Sequence, residues 1–445
     1  MFICCIFAAL PQFVLFGRLI SDDMMKIWLS VLCCICCIVL NAQGYKNINC
    51  ENAAANLNPY PVVELDKMPA PEGYQPFYIS HYGRHGSRYL THDVKFDMVM
   101  KYLEDASKSG LLTEVGKQFY SELQQIYVEQ SELEGILTAR GAEEHQGIAE
   151  RMVRNYPSVF SADGEAKRVR CVSSVVHRCL LSMSNFVLSM GRIAPDVKIE
   201  MTTGERYMSH ICLQSSEKFK RQNPVKVNRV RADEKEDSLR RVMMDPSVMF
   251  DVLFTKPSKM RKSVDDAHDF CRHLYLASCN SLLTDVNVNI LRHYPVEELQ
   301  KEWFLRNERF YMAYAFSKEN DEVLEEVARP ILSDFIEKAD VALGDDVTAA
   351  DLRFGHDTGL LPLVTFIGLE GQPGRLAFGS VSESWNSSEK ICMGSNLQMI
   401  FYKNADAQIL VKFRYNEADT CLSGLAPDSD VFYEWTRLRA YLLSL

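Results

Sequence analysis

Two apolar stretches of different character open the chain. Met1 to Phe16 is apolar apart from Gln12 and ends at Arg18 and Asp22-Asp23, whereas Ile27 to Leu40 is an uninterrupted run of apolar or small residues behind Lys26. The second run is short for a membrane span and leads into Asn41-Ala42, so residues 1–42 predict a removable signal peptide, with translation starting at Met24 or Met25. A two-helix membrane anchor is the alternative. With the leader removed, the expectation is an exported protein, periplasmic, secreted or on the outer surface, with no stable membrane insertion.

Past an irregular lead-in rich in Asn, Pro and Ala (43–75), Phe77-Tyr78-Ile79 ends at Gly83 and Gly86, which suits a buried strand entering a tight loop. Helical spacing holds from Asp93 to about Val153, broken by a turn at Thr138-Ala139-Arg140-Gly141. Arg168 to Cys171 predicts a second strand, and Ser173-Ser174 the cap of a helix reaching Gly191. Val197, Ile199 and Met201 alternate with polar residues as in a strand. Helical periodicity then dominates from about 205 to 340. Strand signals return at Leu352-Arg353-Phe354, Leu397 to Tyr402 and Ile409 to Tyr415, the last two separated by a hairpin-length loop. The order predicts one α/β domain (43–204 and 341–445) interrupted by a helical insertion (205–340).

Composition adds limits. With 445 residues, 47% of them hydrophobic, the chain can bury a large core, and a net charge of −10 argues against a nucleic-acid partner. An anionic substrate stays open, because a few convergent cations make a local positive cleft. Six of the fourteen cysteines fall in the leader. The other eight (Cys50, Cys171, Cys179, Cys212, Cys271, Cys279, Cys392 and Cys421) are an even number that an oxidising compartment would allow to form disulfides. None of these eight forms a C-x-x-C, so no metal site is expected from them.

Three segments carry candidate chemistry. Arg84-His85-Gly86-Ser87-Arg88 follows a predicted strand, where α/β sheets bind ligands. Its two guanidiniums suit phosphate oxygens and disfavour protonation of the imidazole between them, while Gly86 lets the backbone approach a ligand. Gly355-His356-Asp357-Thr358 ends another strand; His356 can hydrogen-bond a phosphoryl group and Asp357 can protonate a leaving oxygen. Arg178, in the first turn of its helix, would complete a three-arginine cradle. Taken singly, each has a bland reading: a basic surface loop, a structural His-Asp pair, a helix-surface arginine. His81 and His177 suggest no role.

Together these residues resemble the histidine acid phosphatases. Tyr82 to Arg88 is similar to that family's signature, Leu137-Thr138-Ala139-Arg140-Gly141 to its Leu-Thr-x-x-Gly turn, Ser173-Ser174 with Arg178 to its third-arginine segment, and Met393 to Gln398 to a late strand motif. Arg353 to His356 with Leu360 to Leu363 most resembles the multiple inositol-polyphosphate phosphatase branch. The resemblance implies a phosphoglycerate-mutase-like α/β fold with a central, mostly parallel sheet. It also implies a nucleophile at His85, a proton donor at Asp357, phosphate binding by Arg84, Arg88, Arg178 and His356, and no metal or other cofactor. One departure stands out: that branch carries His-Ala-Glu, and this chain has His356-Asp357-Thr358, as the bacterial and fungal phytases do. Leu90 replaces a proline common in the family.

The implied activity is phosphomonoester hydrolysis through phosphohistidine at mildly acidic pH, on inositol polyphosphates including the hexakisphosphate. Lys218, Lys220 and Arg221 open a basic run through Arg231 that is expected to contact the non-reacting phosphates; a solvated charged face is the alternative. Other readings are a 2,3-bisphosphoglycerate or broad-specificity acid phosphatase, a mutase-like transferase, and a non-catalytic phosphate-ester-binding protein. A monomer is expected. Asn386-Ser387-Ser388 is a glycosylation sequon only in a eukaryotic secretory route.

Overall fold

A long central strand organises the molecule. In the computed structural model β1 spans Gln75–Arg84, followed by β2 (Arg168–Ser173), β3 (Lys198–Thr203), β4 (Thr348–Gly355), β5 (Asn396–Lys403), β6 (Ile409–Tyr415), β7 (Ala418–Thr420) and β8 (Phe432–Glu434). The described residues are 45, 47–62, 68–161, 166–212, 224–261, 263–345 and 347–445. The leader 1–42 and Lys218, Lys220 and Arg221 lie outside them. The chain divides into Met1–Lys46 and one compact unit, Asn47–Leu445, to which the following applies.

The sheet order is β3-β2-β4-β1-β5-β6-β7, with β8 also paired to β6. The half that carries the candidate motifs, β3-β2-β4-β1, is parallel throughout, while β5 joins β1 antiparallel and leads into the expected β5–β6 hairpin. This is the α/β class predicted. β1 is far longer than its apolar run because it is paired on both edges: Ser80, His81 and Arg84 are buried with Tyr78 and Ile79, and polar residues there hide the strand from a hydropathy reading.

Among the described residues, eleven helices have eight or more residues: α1 (Phe96–Lys108), α2 (Glu114–Glu129), α3 (Ala139–Asn155), α4 (His177–Ile193), α5 (Pro224–Met243), α6 (Pro246–Leu253), α7 (Val264–Cys279), α8 (Val296–Tyr314), α9 (Asp321–Leu343), α10 (Asp357–Phe366) and α11 (Trp435–Ser444). Strand alternation sorts the core into two faces. Tyr78, Tyr82, Leu397, Met399 and Phe401 pack under α8 to α11, and Ile79, Val169, Leu352, Phe354 and Ile400 pack under α3 and α4.

The helical region draws on two stretches of chain. Between β3 and β4 the regular structure of the described residues is helical, yet α9 lies on the sheet face, and α1 and α2 pack with α6 and α7. Thr113 N–H donates to Leu253 O at 3.0 Å, Thr255 N–H to Leu111 O at 2.8 Å, and the Tyr102 and Phe270 rings meet at 4.7 Å.

Two local expectations are corrected. Ser173-Ser174 does not cap α4, whose N-cap is Val176 without a side-chain bond; Ser173 ends β2, and Ser174 turns its hydroxyl to His356. The eight cysteines form no disulfide. Six are buried as small apolar groups, and burial raises the thiols of Cys171, Cys179, Cys271, Cys279 and Cys392, Cys179 to about 12 and Cys392 to about 11. Among the described residues no helix is long and apolar enough to cross a membrane.

Candidate active site

The carboxyl ends of β1 and β4 lie side by side, with Arg84 opposite Gly355 in the parallel register. The two candidate motifs therefore leave the sheet together, and the His85 N–H donates to Gly355 O at 3.0 Å. The loop after β1 is fixed from beneath. Gly86 and Gly141 pack back to back, so that a Cβ on Gly86 would strike the Gly141 backbone and one on Gly141 would strike Ser87. Thr138 is the N-cap of α3, its Oγ1 accepting from Gly141 N–H, so the predicted turn is a helix start that doubles as the seat of the nucleophile loop.

His85 is buried, with Nδ1 2.9 Å from Gly86 O. A carbonyl only accepts, so Nδ1 carries the proton and Nε2 keeps its lone pair. Burial first, then Arg178, Arg84, His356 and Arg88, hold the imidazole well below its ordinary range, and it is neutral.

The arginines differ in how they are held. Arg84 is fully buried; its Nη1 donates to Asn56 O at 2.6 Å and Ile391 O at 2.7 Å, and its Nη2 pairs with Asp357 Oδ2 at 2.7 Å. Arg88 donates to Tyr89 O at 2.8 Å and is pulled down to about 9 by burial, Arg178 and Arg84. Arg178 Nη2 lies 3.4 Å from His356 Nδ1. The Nε–H groups of all three are buried without a partner among the described residues. Like charges crowded this way, with unmatched donors, form a site that an anion would relieve.

His356 is the N-cap residue of α10, and Asp357 begins that helix. The His356 ring stands edge-on to His85 with centroids 5.5 Å apart, its Nε2 3.1 Å from Ser174 Oγ and 3.4 Å from Cys179 Sγ. Burial and then Arg178 lower it to about 3. Asp357 accepts from Arg84 and, at 3.2 Å, from Asn56 Nδ2, while its Oδ1 accepts Thr358 N–H. Burial alone would raise this carboxyl; Arg84, His356, Arg88 and the Asn56 bond outweigh it, and the net shift is downward.

The structure thus gathers His85, Arg84, Arg88, Arg178, His356 and Asp357 into one site. Of the bystanders, His81 is buried against Phe186 and Phe354, and His177 is exposed. Among the described residues no group of His, Cys, Asp or Glu gathers as metal ligands would.

Several contributors carry no sequence signal. Asn56 sits in the lead-in, and Arg306 is one charged residue among many on α8, yet its Nε donates to Asn56 Oδ1 at 3.0 Å. Glu144 accepts Ser87 N–H and Oγ–H, both at 2.7 Å, and Tyr60 N–H at 2.9 Å; beside it, buried His145 donates from Nε2 to Arg84 O at 3.1 Å. Lying one turn after Gly141, the Glu-His pair was open to a reading as part of the loop's support.

The profile of the histidine phosphatase superfamily, branch 2, matches residues 83–416. The chain belongs to this family. No curated protein sequence matches it. The apo multiple inositol polyphosphate phosphatase of Bifidobacterium longum is similar in structure (TM-score 0.71, 18% identity, 88% of this chain and 97% of that one), as is its complex with inositol hexasulfate (TM-score 0.68, 18% identity, the same coverage). The phytase of D. castellii is also similar (TM-score 0.66, 13% identity, 90% and 86%). This histidine phosphatase therefore shares their fold, and its small-molecule substrate is a phosphorylated one.

Proposed function

We propose that the protein hydrolyses phosphomonoesters through a covalent phosphohistidine on His85, and that inositol polyphosphates, including the hexakisphosphate, are its substrates. The observation that carries this reading is the neutral His85 imidazole, its Nε2 lone pair unengaged, among three arginines beside a carboxyl group. The ester's phosphoryl oxygens take the free N–H groups of Arg84, Arg88 and Arg178. Arg178 Nη2 can only donate, so His356 Nδ1 accepts from it and the Nε2–H faces Ser174 Oγ; when phosphate takes Arg178, Ser174 Oγ can donate to Nε2 instead, which frees an Nδ1–H for the same phosphate. His85 Nε2 attacks phosphorus, the ester P–O bond breaks, and Asp357 gives its proton to the departing oxygen. The Asp357 carboxylate then takes a proton from water as that water attacks the phosphorus, and the N–P bond breaks, returning neutral His85 and protonated Asp357. Guanidiniums supply the charge stabilisation throughout, so the scheme needs no metal.

Support for polyphosphorylated substrates comes from the inositol hexasulfate complex of the B. longum enzyme, from Arg306 reaching the site from α8, and from exposed Lys226, Arg229 and Arg231 on α5. Lys218, Lys220 and Arg221, just ahead of α5, belong to the same proposal, as do export and a monomeric state. The purified mature chain should release phosphate from inositol hexakisphosphate. Replacing Lys218, Lys220 and Arg221 together should raise KM for that substrate more than for a simple monoester. Equal effects on the two would remove the polyphosphate assignment, and absence of phosphate release would remove the hydrolase reading.

A further inference from the structure

Asn56 joins three parts of the site. Its backbone carbonyl accepts Arg84 Nη1 at 2.6 Å, its Nδ2 lies 3.2 Å from Asp357 Oδ2, and its Oδ1 accepts Arg306 Nε at 3.0 Å. The orientation of an amide is settled by its partners, and an arginine Nε–H can only donate. The atom facing Arg306 must therefore be Oδ1, which leaves Nδ2 to face Asp357 and only to donate to it. The amide cannot turn over without setting two N–H groups against each other. Because α8 carries Arg306, a helix outside the sheet determines which way the amide points.

The backbone around Asn56 is anchored independently of its side chain. Tyr275 Oη donates to Ala53 O at 2.5 Å, Ser388 Oγ to Asn52 O at 2.6 Å and Asn289 Nδ2 to Cys50 O at 3.0 Å. The side chain is buried, and among the described residues its amide bonds only to Asp357 and Arg306, so what it contributes beyond packing passes through those two.

We infer that Asn56 is a positioning residue for proton transfer: locked by Arg306, its amide N–H holds the Asp357 carboxyl at the angle from which it protonates the leaving oxygen. This rests on the reading of Asp357 as the donor. Thr358 N–H already holds Oδ1, and when substrate phosphate on the Arg84 Nε–H loosens the Nη2 bond to Asp357, Asn56 is the side chain left on Oδ2. Without it the carboxyl keeps one anchor and rotates. The titratable and charged groups facing this pair are Arg84, Arg88 and the neutral His356 around Asp357, Arg178 beyond His356, and Arg306 on the amide.

The test compares two substrates by kcat/KM, which reports the first phosphoryl transfer. Glycerol 2-phosphate expels an alkoxide that needs a proton; p-nitrophenyl phosphate expels a phenolate that does not. Asn56→Ala should lower kcat/KM for the former by about tenfold or more and for the latter by less than about twofold. Asn56→Asp keeps the volume and the acceptor for Arg306 but puts a second carboxylate against Asp357, and should move the alkaline limb of the pH profile upward. Equal losses on both substrates, no loss, or an unmoved limb in Asn56→Asp would overturn the inference. If Asn56→Ala does not fold, Asn56→Asp alone decides. Wild-type enzyme and His85→Ala run in parallel. An inactive wild type, or an active His85→Ala, defeats the hydrolase reading itself, whereas an active wild type with an inactive His85→Ala leaves the outcome to Asn56.

Discussion

His85 and Asp357 occupy one pocket in opposite electrostatic situations. Burial and three guanidiniums all push the imidazole towards its neutral form, so acidification across the working range does not switch off the nucleophile. For Asp357 two of these guanidiniums, Arg84 and Arg88, work against the proposed donor role, since they hold the carboxyl ionised while Arg84 is its partner. A phosphate dianion that takes Arg84 and brings negative charge alongside reverses that balance and raises the carboxyl. A donor must hold its proton, so activity falls as pH rises through the pKa of Asp357, and the alkaline limb belongs to this group. Asp357→Asn should therefore cut turnover of alkyl phosphates by roughly 10²- to 10⁴-fold and flatten the alkaline limb for p-nitrophenyl phosphate. A pH profile unchanged in shape would assign the limb elsewhere.

At the scale of elements, the site is two strand ends and a loop seated on a helix start. The pairing of β1 with β4 brings His85 beside Gly355, and the contact of Gly86 with Gly141 sets the loop's height above α3. Gly86→Ala forces two backbones apart; a cost of about 1–3 kcal/mol in urea unfolding is expected, together with loss of turnover. An alanine variant with wild-type stability would show that the loop has room to spare. This level was largely legible in advance, because strand, glycine and motif are local patterns. The reach of β1 was not, since its buried Ser80, His81 and Arg84 depend on neighbours on both edges. Nor were Asn56 and Arg306 legible: they meet from positions 250 residues apart, and an asparagine in a loop or an arginine on a helix gives no sign of its partner. The cysteine count suggested disulfides for a similar reason, since counting thiols says nothing about where burial will place them.

In the whole molecule, helices outside the sheet complete a site that the sheet begins. α8 brings Arg306 to Asn56, and α8 is tied to α5 by a buried ion cluster in which Arg240 spans Glu302 at 2.7 Å and Glu236 at 3.1 Å. Removing Arg240 leaves Glu302 buried without its cation, so Arg240→Met should cost about 3–5 kcal/mol in denaturant unfolding, and a change near zero would mean that water reaches the cluster. These distant contacts matter to function only if the reaction runs through His85. Rapid quench of enzyme mixed with radiolabelled substrate, followed by peptide mapping, tests that most directly. The account predicts an acid-labile phosphoryl group on His85 that forms and decays at catalytically competent rates, and that is absent along with turnover in His85→Ala. Label on another residue, or full turnover without any label, would contradict it.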